Sequence, residues 1–224
     1  GTQTIDFNRS VYDPATGSAT SRQQVNTITG WIDASNVYGS DPTRAAALRT
    51  LTGGRLNTTA DASGDLLPYN TAALPNASLP GQSASSLHLA GDERANENVV
   101  LTSLHTLFVR EHNRLADDIA AANPTWSDEQ IYQQARKIVG AEIQAITYNE
   151  FLPALGVALS PYTGYDPTVD ASIANEFSAA AYRLGHSMLT DTITRIDETG
   201  ASIAGGDLPL QQAFFNPGEL TAGG

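Results

Sequence analysis

The chain has 224 residues, of which 41 % are hydrophobic and 16 % charged, and 12 Lys+Arg against 24 Asp+Glu give a formal charge of -12. A negative field of that size argues against a nucleic-acid or anionic-membrane partner, and the length allows one substantial core or two small ones. Cysteine is absent, which excludes disulfides, thiolate-bound zinc, iron–sulfur clusters and thiol nucleophiles.

Residues 1–20 carry turn formers around DPATG and read as loop. The stretch near 35–39 reads as irregular. DPTRAAALRTL then opens with an aspartate followed by Pro42, a helix-start signature. Residues 52–86 are rich in Gly, Ser, Thr, Asn and Pro without a sustained period, which predicts a surface excursion or a lid.

From Asn98 the pattern changes. Leu101, Leu104, Phe108, Leu115 and Ile119 recur at helical spacing, and Asn123-Pro124 ends the run. Ser127 with Gln130 three positions later fits a capping box, which predicts a second helix through Ile131, Ala135, Ile138, Val139, Glu142 and Ile146 towards Pro153. Residues 158–168 read as loop. A third helix is expected to hold Ile173, Phe177, Ala181, Leu184 and Met188, with His186 in its C-terminal half. The remainder reads as mostly loop, with one short helical turn and strand character only near ITRI. The expected class is mainly α, with long loops and little β.

No apolar run is long enough to span a membrane. The opening GTQTIDFNRS and the closing GELTAGG read as mid-domain sequence. The chain is therefore expected to be a segment of a longer protein, and its lack of a targeting signal carries no information.

AGDERANENVVLTSLHTLFVREHNRLA, residues 90–116, concentrates the ionisable groups. His105 and His112 share a helix face but stand roughly 10 Å apart along the axis, too far to share one metal ion. An HExxH motif is absent, so both are read as packed or hydrogen-bonded scaffold residues. Asp92, Glu93 and Glu97 are readable as charges favouring a helix N-terminus. Arg94 breaks that pattern, and a bound anion or a polar transition state is the alternative that would account for it.

In AAAYRLGHSML, Gly185 removes a side chain beside His186, and Arg183 lies three residues before it. A histidine and an arginine amid small residues would suit a flat anionic cofactor, with imidazole on its metal and guanidinium on a carboxylate. The alternative is a satisfied core histidine. In TGWIDAS, oxygens of Thr29, the Trp31 carbonyl, Asp33 and Ser35 alternate as in a loop wrapped around calcium, against the plainer reading of an Asx or ST turn.

RQQVNTITGWIDASNVYGS, the residue 90–116 block, ARKIVGAEIQAITYNEFLP and FSAAAYRLGHSML together resemble the animal-type haem peroxidase family. The blocks fall in the family's order between residues 22 and 189, which implies that residues 1–224 are the central part of one such domain. The resemblance implies haem b as cofactor, with His186 as axial ligand of the iron and Arg183 beside a haem propionate. It implies Arg94 as the catalytic arginine that polarises hydrogen peroxide, Glu97 as a carboxylate able to form an ester with the haem, and calcium at Thr29, Trp31, Asp33 and Ser35. Asn98 stands where some members bond a methionine to the haem, so that link is not expected. His105 and His112 match family histidines that are not ligands.

The implied activity is reduction of hydrogen peroxide with oxidation of an organic donor or halide, in a secreted or extracellular protein. The family's distal histidine lies upstream of TGWIDAS, where residues 1–28 hold no histidine, so the isolated segment is expected to be incomplete for catalysis. The asparagine partner of the proximal histidine is expected beyond residue 224. Two other readings stay open. Fatty-acid dioxygenases of the same superfamily carry a radical tyrosine three residues before the proximal histidine, where Arg183 stands here. A haem-free interaction or adhesion module would keep the scaffold alone.

Overall fold

A computed structural model describes residues 11–221. The part of the predicted N-terminal loop at residues 1–10 and the final residues 222–224 lie outside the described residues. The chain divides into two compact units. The smaller comprises residues up to 31 with Asp166–Leu189, and the larger comprises Ile32–Tyr165 with residues from 190 onward.

The larger unit is built on two antiparallel-connected helices, α3 (Val99–Ala122) and α4 (Asp128–Ile146), preceded by the short α1 (Ser35–Tyr38) and α2 (Pro42–Ala47). Each start has a local cause. The Asp41 carboxylate accepts from Arg44 N ahead of Pro42, and Asn98 Oδ1 accepts from Leu101 N at 2.9 Å. Ser127 and Gln130 form a reciprocal capping box, with Ser127 Oγ accepting from Gln130 N at 3.3 Å and Gln130 Oε1 accepting from Ser127 N at 2.9 Å. Replacing Ser127 by alanine is expected to lower stability by about 1 kcal/mol with no change in helix content, read by urea denaturation alongside circular dichroism.

The stretch around 35–39, expected to be irregular, is one turn of helix. Backbone bonds from Tyr38 N to Ala34 O and from Gly39 N to Ser35 O close it. Val37 and Tyr38 are buried there, so tertiary packing fixes a turn that propensity alone would not.

Of residues 52–86, expected to be a surface excursion or a lid, the first part to Asn70 packs on the core, whereas 71–86 hold no buried residue. Isolated bridges pair Arg49 with Leu56, Thr59 with Leu66 and Tyr69 with His88, and Leu56, Leu67, Asn70 and Leu87 are buried. Leu56 and Leu67, spaced too far apart to show a period, hold its first part against the core.

The main core joins Val37, Tyr38, Leu48, Leu56, Leu67, Leu89, Ala95, Val109, Tyr132 and Val139. Of the stripe expected on α3, Phe108, Leu115 and Ile119 are partly buried and pack on the core, whereas Leu104 is about half exposed. The most buried face holds Thr102, His105, Thr106, Val109, His112, Asn113 and Ala116. Most of its polar side chains are matched, some by neighbours one turn away and some by distant backbone, while His105 Nε2 has no hydrogen-bond partner. Thr106 Oγ1 donates to Thr102 O, and Asn113 bonds both Leu56 N and Leu56 O.

α4 continues into a π-helical turn at Thr147–Phe151 and the short α5 (Leu152–Ala154). Beyond residue 190 a two-residue pair, β1 (Thr192–Ile193) with β2 (Leu208–Pro209), is the only sheet among the described residues. Leu208 and Ala213 pack on Val99 at the start of α3. No described helix is long and apolar enough to cross a membrane.

In the smaller unit, Asn175 ties its two stretches. Its Nδ2 donates to Arg22 O at 3.1 Å and to Gln23 Oε1 at 2.6 Å, and its Oδ1 accepts from Gln24 N. The expected third helix is broken. α6 (Asn175–Ala179) ends at Ala180, at φ -128 and ψ -69, and Ala181–Met188 continues as a 3-10 helix. Phe177, Leu184 and Met188 are all at least half exposed. They supply no burial to hold a longer α-helix together.

Candidate functional site

Arg94 and Glu97 lie on one loop of the larger unit, between the bridge at His88 and the N-cap of α3. Asn96 holds that loop from within, accepting from His88 N at 2.9 Å and donating to His88 O at 2.8 Å. Thr102 Oγ1 donates to Ala95 O at 2.7 Å, and Phe215 N reaches Asn96 O and Glu97 O. Ala95 and Asn96 are buried while Arg94 is exposed. The loop therefore presents its charged side chains from a fixed backbone.

Asp92 is not placed in the first turn of α3, which begins seven residues later. Its carboxylate accepts from Arg94 N, Nε and Nη2 at 2.8, 2.9 and 2.7 Å. Burial pulls the Asp92 carboxyl upward, but the hydrogen bonds and charge of Arg94 outweigh it and hold the group below the ordinary carboxylate range. The sequence signal was present in Asp-x-Arg; the helix-dipole reading obscured it. Asn98 is committed to capping α3, consistent with a structural role at that position.

Two of the conspicuous histidines are scaffold, as expected. His112 is fully buried between Tyr38 and Tyr132, with ring centroids 5.3 and 5.4 Å away. Its Nε2 lies 2.8 Å from Gly54 O, which only accepts, so Nε2 carries the hydrogen and Nδ1 accepts from the Tyr38 hydroxyl at 2.9 Å. His105 Nδ1 donates to Leu101 O. His88, which drew no notice in the sequence, bonds Leu67 O and stacks on Tyr69.

Arg183 and His186 come together on the 3-10 helix of the smaller unit. Residues i and i+3 eclipse in that geometry, so the two side chains leave the same side and Tyr182 points elsewhere, towards Phe177 at 6.1 Å between ring centroids. Both residues are exposed, and a Cβ built at Gly185 meets nothing within 4 Å. An accessible imidazole, an arginine beside it and exposed Leu184, Met188 and Leu189 form a donor set that fits an iron-bearing, largely apolar macrocycle with carboxylates.

Thr29 Oγ1 accepts from Trp31 N at 3.0 Å in the smaller unit, and Asp33 Oδ1 accepts from Ser35 N at 3.0 Å in the larger. These are the ST and Asx turns of the plainer reading. Ala34 between them lies in the left-handed region at φ 61. Among the described residues, no three His, Asp or Glu side chains gather to hold a metal ion.

A profile of the animal haem peroxidase family matches residues 1–224. A peroxidasin homolog of Mus musculus is 44 % identical over 207 residues, covering 88 % of this chain and 14 % of the relative. The thyroid peroxidase of Sus scrofa is 42 % identical over 217 residues, covering 90 % of this chain and 23 % of the relative. The chain thus spans under a quarter of these relatives' length. Among solved structures, Peroxidase A from Dictyostelium discoideum superposes with a TM-score of 0.85 at 36 % identity, over 96 % of this chain and 43 % of that one. Fatty acid alpha-dioxygenase from Oryza sativa gives a TM-score of 0.65 at 22 % identity over 96 % of this chain and 39 % of that one, a likeness of fold.

Proposed function

The chain belongs to the animal haem peroxidase family, and from that premise we propose that it is the central part of a haem-dependent peroxidase domain that reduces hydrogen peroxide and oxidises a small organic donor or halide. The observation that carries the reading is the eclipsed Arg183–His186 pair on an accessible 3-10 turn. Haem b, when bound, supplies an iron centre for reduction of peroxide and oxidation of the donor.

His186 would hold the iron through its imidazole, and Arg183 would pair with a propionate on the same side. Arg94, whose planar donor fork is held by Asp92, would stabilise negative charge on the departing peroxide oxygen. The Glu97 carboxylate has no hydrogen bond or ion pair among the described residues, which suits an ester link to haem. The four oxygens of Thr29, Trp31, Asp33 and Ser35 are of the hard type that calcium takes, with Asp33 the single carboxylate. Proton transfer at peroxide would need a base from outside the described residues.

Peroxidase is favoured over fatty-acid dioxygenation because Arg183, not Tyr182, eclipses His186. The 36 % identity to a peroxidase, against 22 % to a dioxygenase, points the same way. The test is the absorption spectrum of the haem-loaded full-length protein with His186→Ala. We expect loss of the imidazole-ligated spectrum and weaker haem retention, and an unchanged spectrum would remove His186 as ligand.

A further inference from the structure

We propose that Asp92 is the positioning residue of Arg94, fixing which edge of the guanidinium faces an incoming oxygen ligand. This rests on the reading of Arg94 as the group that stabilises charge on peroxide.

One carboxylate spends three hydrogen bonds on a single neighbour: Oδ1 takes Arg94 N and Nε, and Oδ2 takes Nη2. A side-on fork of this kind fixes both the plane and the rotation of a guanidinium, which a single contact would leave loose. It directs the Nη1 edge away from Asp92. The partition of exposure fits a mount and its presented group, with the Asp92 side chain 15 % exposed and that of Arg94 55 %.

The mount itself is anchored. Gly91 approaches α1 so closely that an added Cβ would stand 2.6 Å from both Asn36 O and Gly39 N. On the other side, Asn96 is bonded twice to His88, and Glu97 N closes a turn onto Arg94 O at 2.8 Å. Rotation of the arginine is a freedom that the backbone leaves open, and the Asp92 fork restricts it. Preorganised charge stabilises a transition state most when no reorientation is needed at the moment of reaction.

Asp92→Asn separates positioning from folding, because the amide oxygen can still accept from Arg94 N while the charged fork is lost. Two readouts are taken on the haem-loaded full-length protein: the second-order rate with hydrogen peroxide, and the hydrogen exchange of the Arg94 side-chain Nε–H by 15N NMR. We expect Asp92→Asn to slow the peroxide reaction on the order of tenfold to a hundredfold and to speed Nε–H exchange, with the melting temperature little changed. In an Arg94→Leu background the same substitution should add nothing. An equal further loss in that background, or an unchanged rate where Arg94→Leu alone is slow, overturns the proposal. If Arg94→Leu leaves the rate intact, the catalytic reading of Arg94 fails. Nε–H exchange then decides the positioning, with faster exchange in Asp92→Asn upholding it and unchanged exchange overturning it.

Discussion

Replacing His112 by alanine is expected to leave the protein at or below the edge of folding. The ring is fully buried and fills the space between Tyr38 and Tyr132, so truncation opens a cavity among close-packed groups. It also orphans the Gly54 carbonyl and the Tyr38 hydroxyl, each of which loses its partner inside the core. The two effects sum to about 5 kcal/mol, which is comparable with the whole stability of an ordinary domain. Urea denaturation, or the soluble yield where no folded baseline remains, measures the loss. A midpoint close to that of the unmodified protein would show that the site collapses around the gap.

The same residue sets a pH dependence whose sign is fixed. Burial, with smaller contributions from Arg49 and Arg55, pushes the His112 imidazole down to about 4, against an ordinary value of 6.5. Between those values the unfolded chain binds a proton that the folded protein refuses. Stability is therefore full above pH 6.5 and is lost as pH falls towards 4, by on the order of 3 kcal/mol from this group. Burial also holds His88 and His105 below the ordinary imidazole value, so both add in the same direction. The slope of stability against pH in this window is the check. A His112→Gln variant that keeps the full slope would assign it elsewhere.

α3 shows why some of this fold was legible in the sequence and some was not. Spacing of Leu101, Leu104, Phe108 and Leu115 correctly marks a helix, because any helical repeat of apolar residues gives that period. It marks Phe108 and Leu115, which pack partly buried on the core, but not the fully buried positions, which include Thr102, His105, Thr106, His112 and Asn113. Those side chains are admitted to the interior by backbone partners as remote as Gly54 and Leu56, and no local pattern announces such partners. The capping box at Ser127 was readable because all its atoms lie within four residues. The 3-10 form of Ala181–Met188 was not, since the same residues satisfy an α-helical pattern and only missing burial decides between them. At the candidate site, the resemblance picked out Arg94, Glu97, Arg183 and His186 by position. What holds Arg94, namely Asp92 together with Gly91 and Asn96, became visible only as geometry.

Gly91 carries the second large effect. A methyl group there would stand 2.6 Å from Asn36 O and from Gly39 N, and closer still to Ser35 O. All three are backbone atoms of the α1 turn, so no side chain can swing aside to make room. α1 itself is pinned by buried Val37 and Tyr38 in the main core, which leaves the loop after Gly91 as the part that must move. Gly91→Ala is expected to destabilise the protein by about 3 kcal/mol, at the upper end for overpacking because the obstacle is main chain. Since Asp92 and Arg94 follow directly, the displacement should also reach the guanidinium. Gly54→Ala is the control. It forces a side chain into a φ of +70 and to 2.6 Å from Tyr132 N, against α4 and not against the α1 turn that Gly91 touches. Both variants should melt earlier in a thermal scan, yet only Gly91→Ala should also slow the peroxide reaction of the haem-loaded full-length protein at a temperature where both remain folded. Equal rates in the two variants would mean that the contact between Gly91 and α1 supports the fold without aiming Arg94.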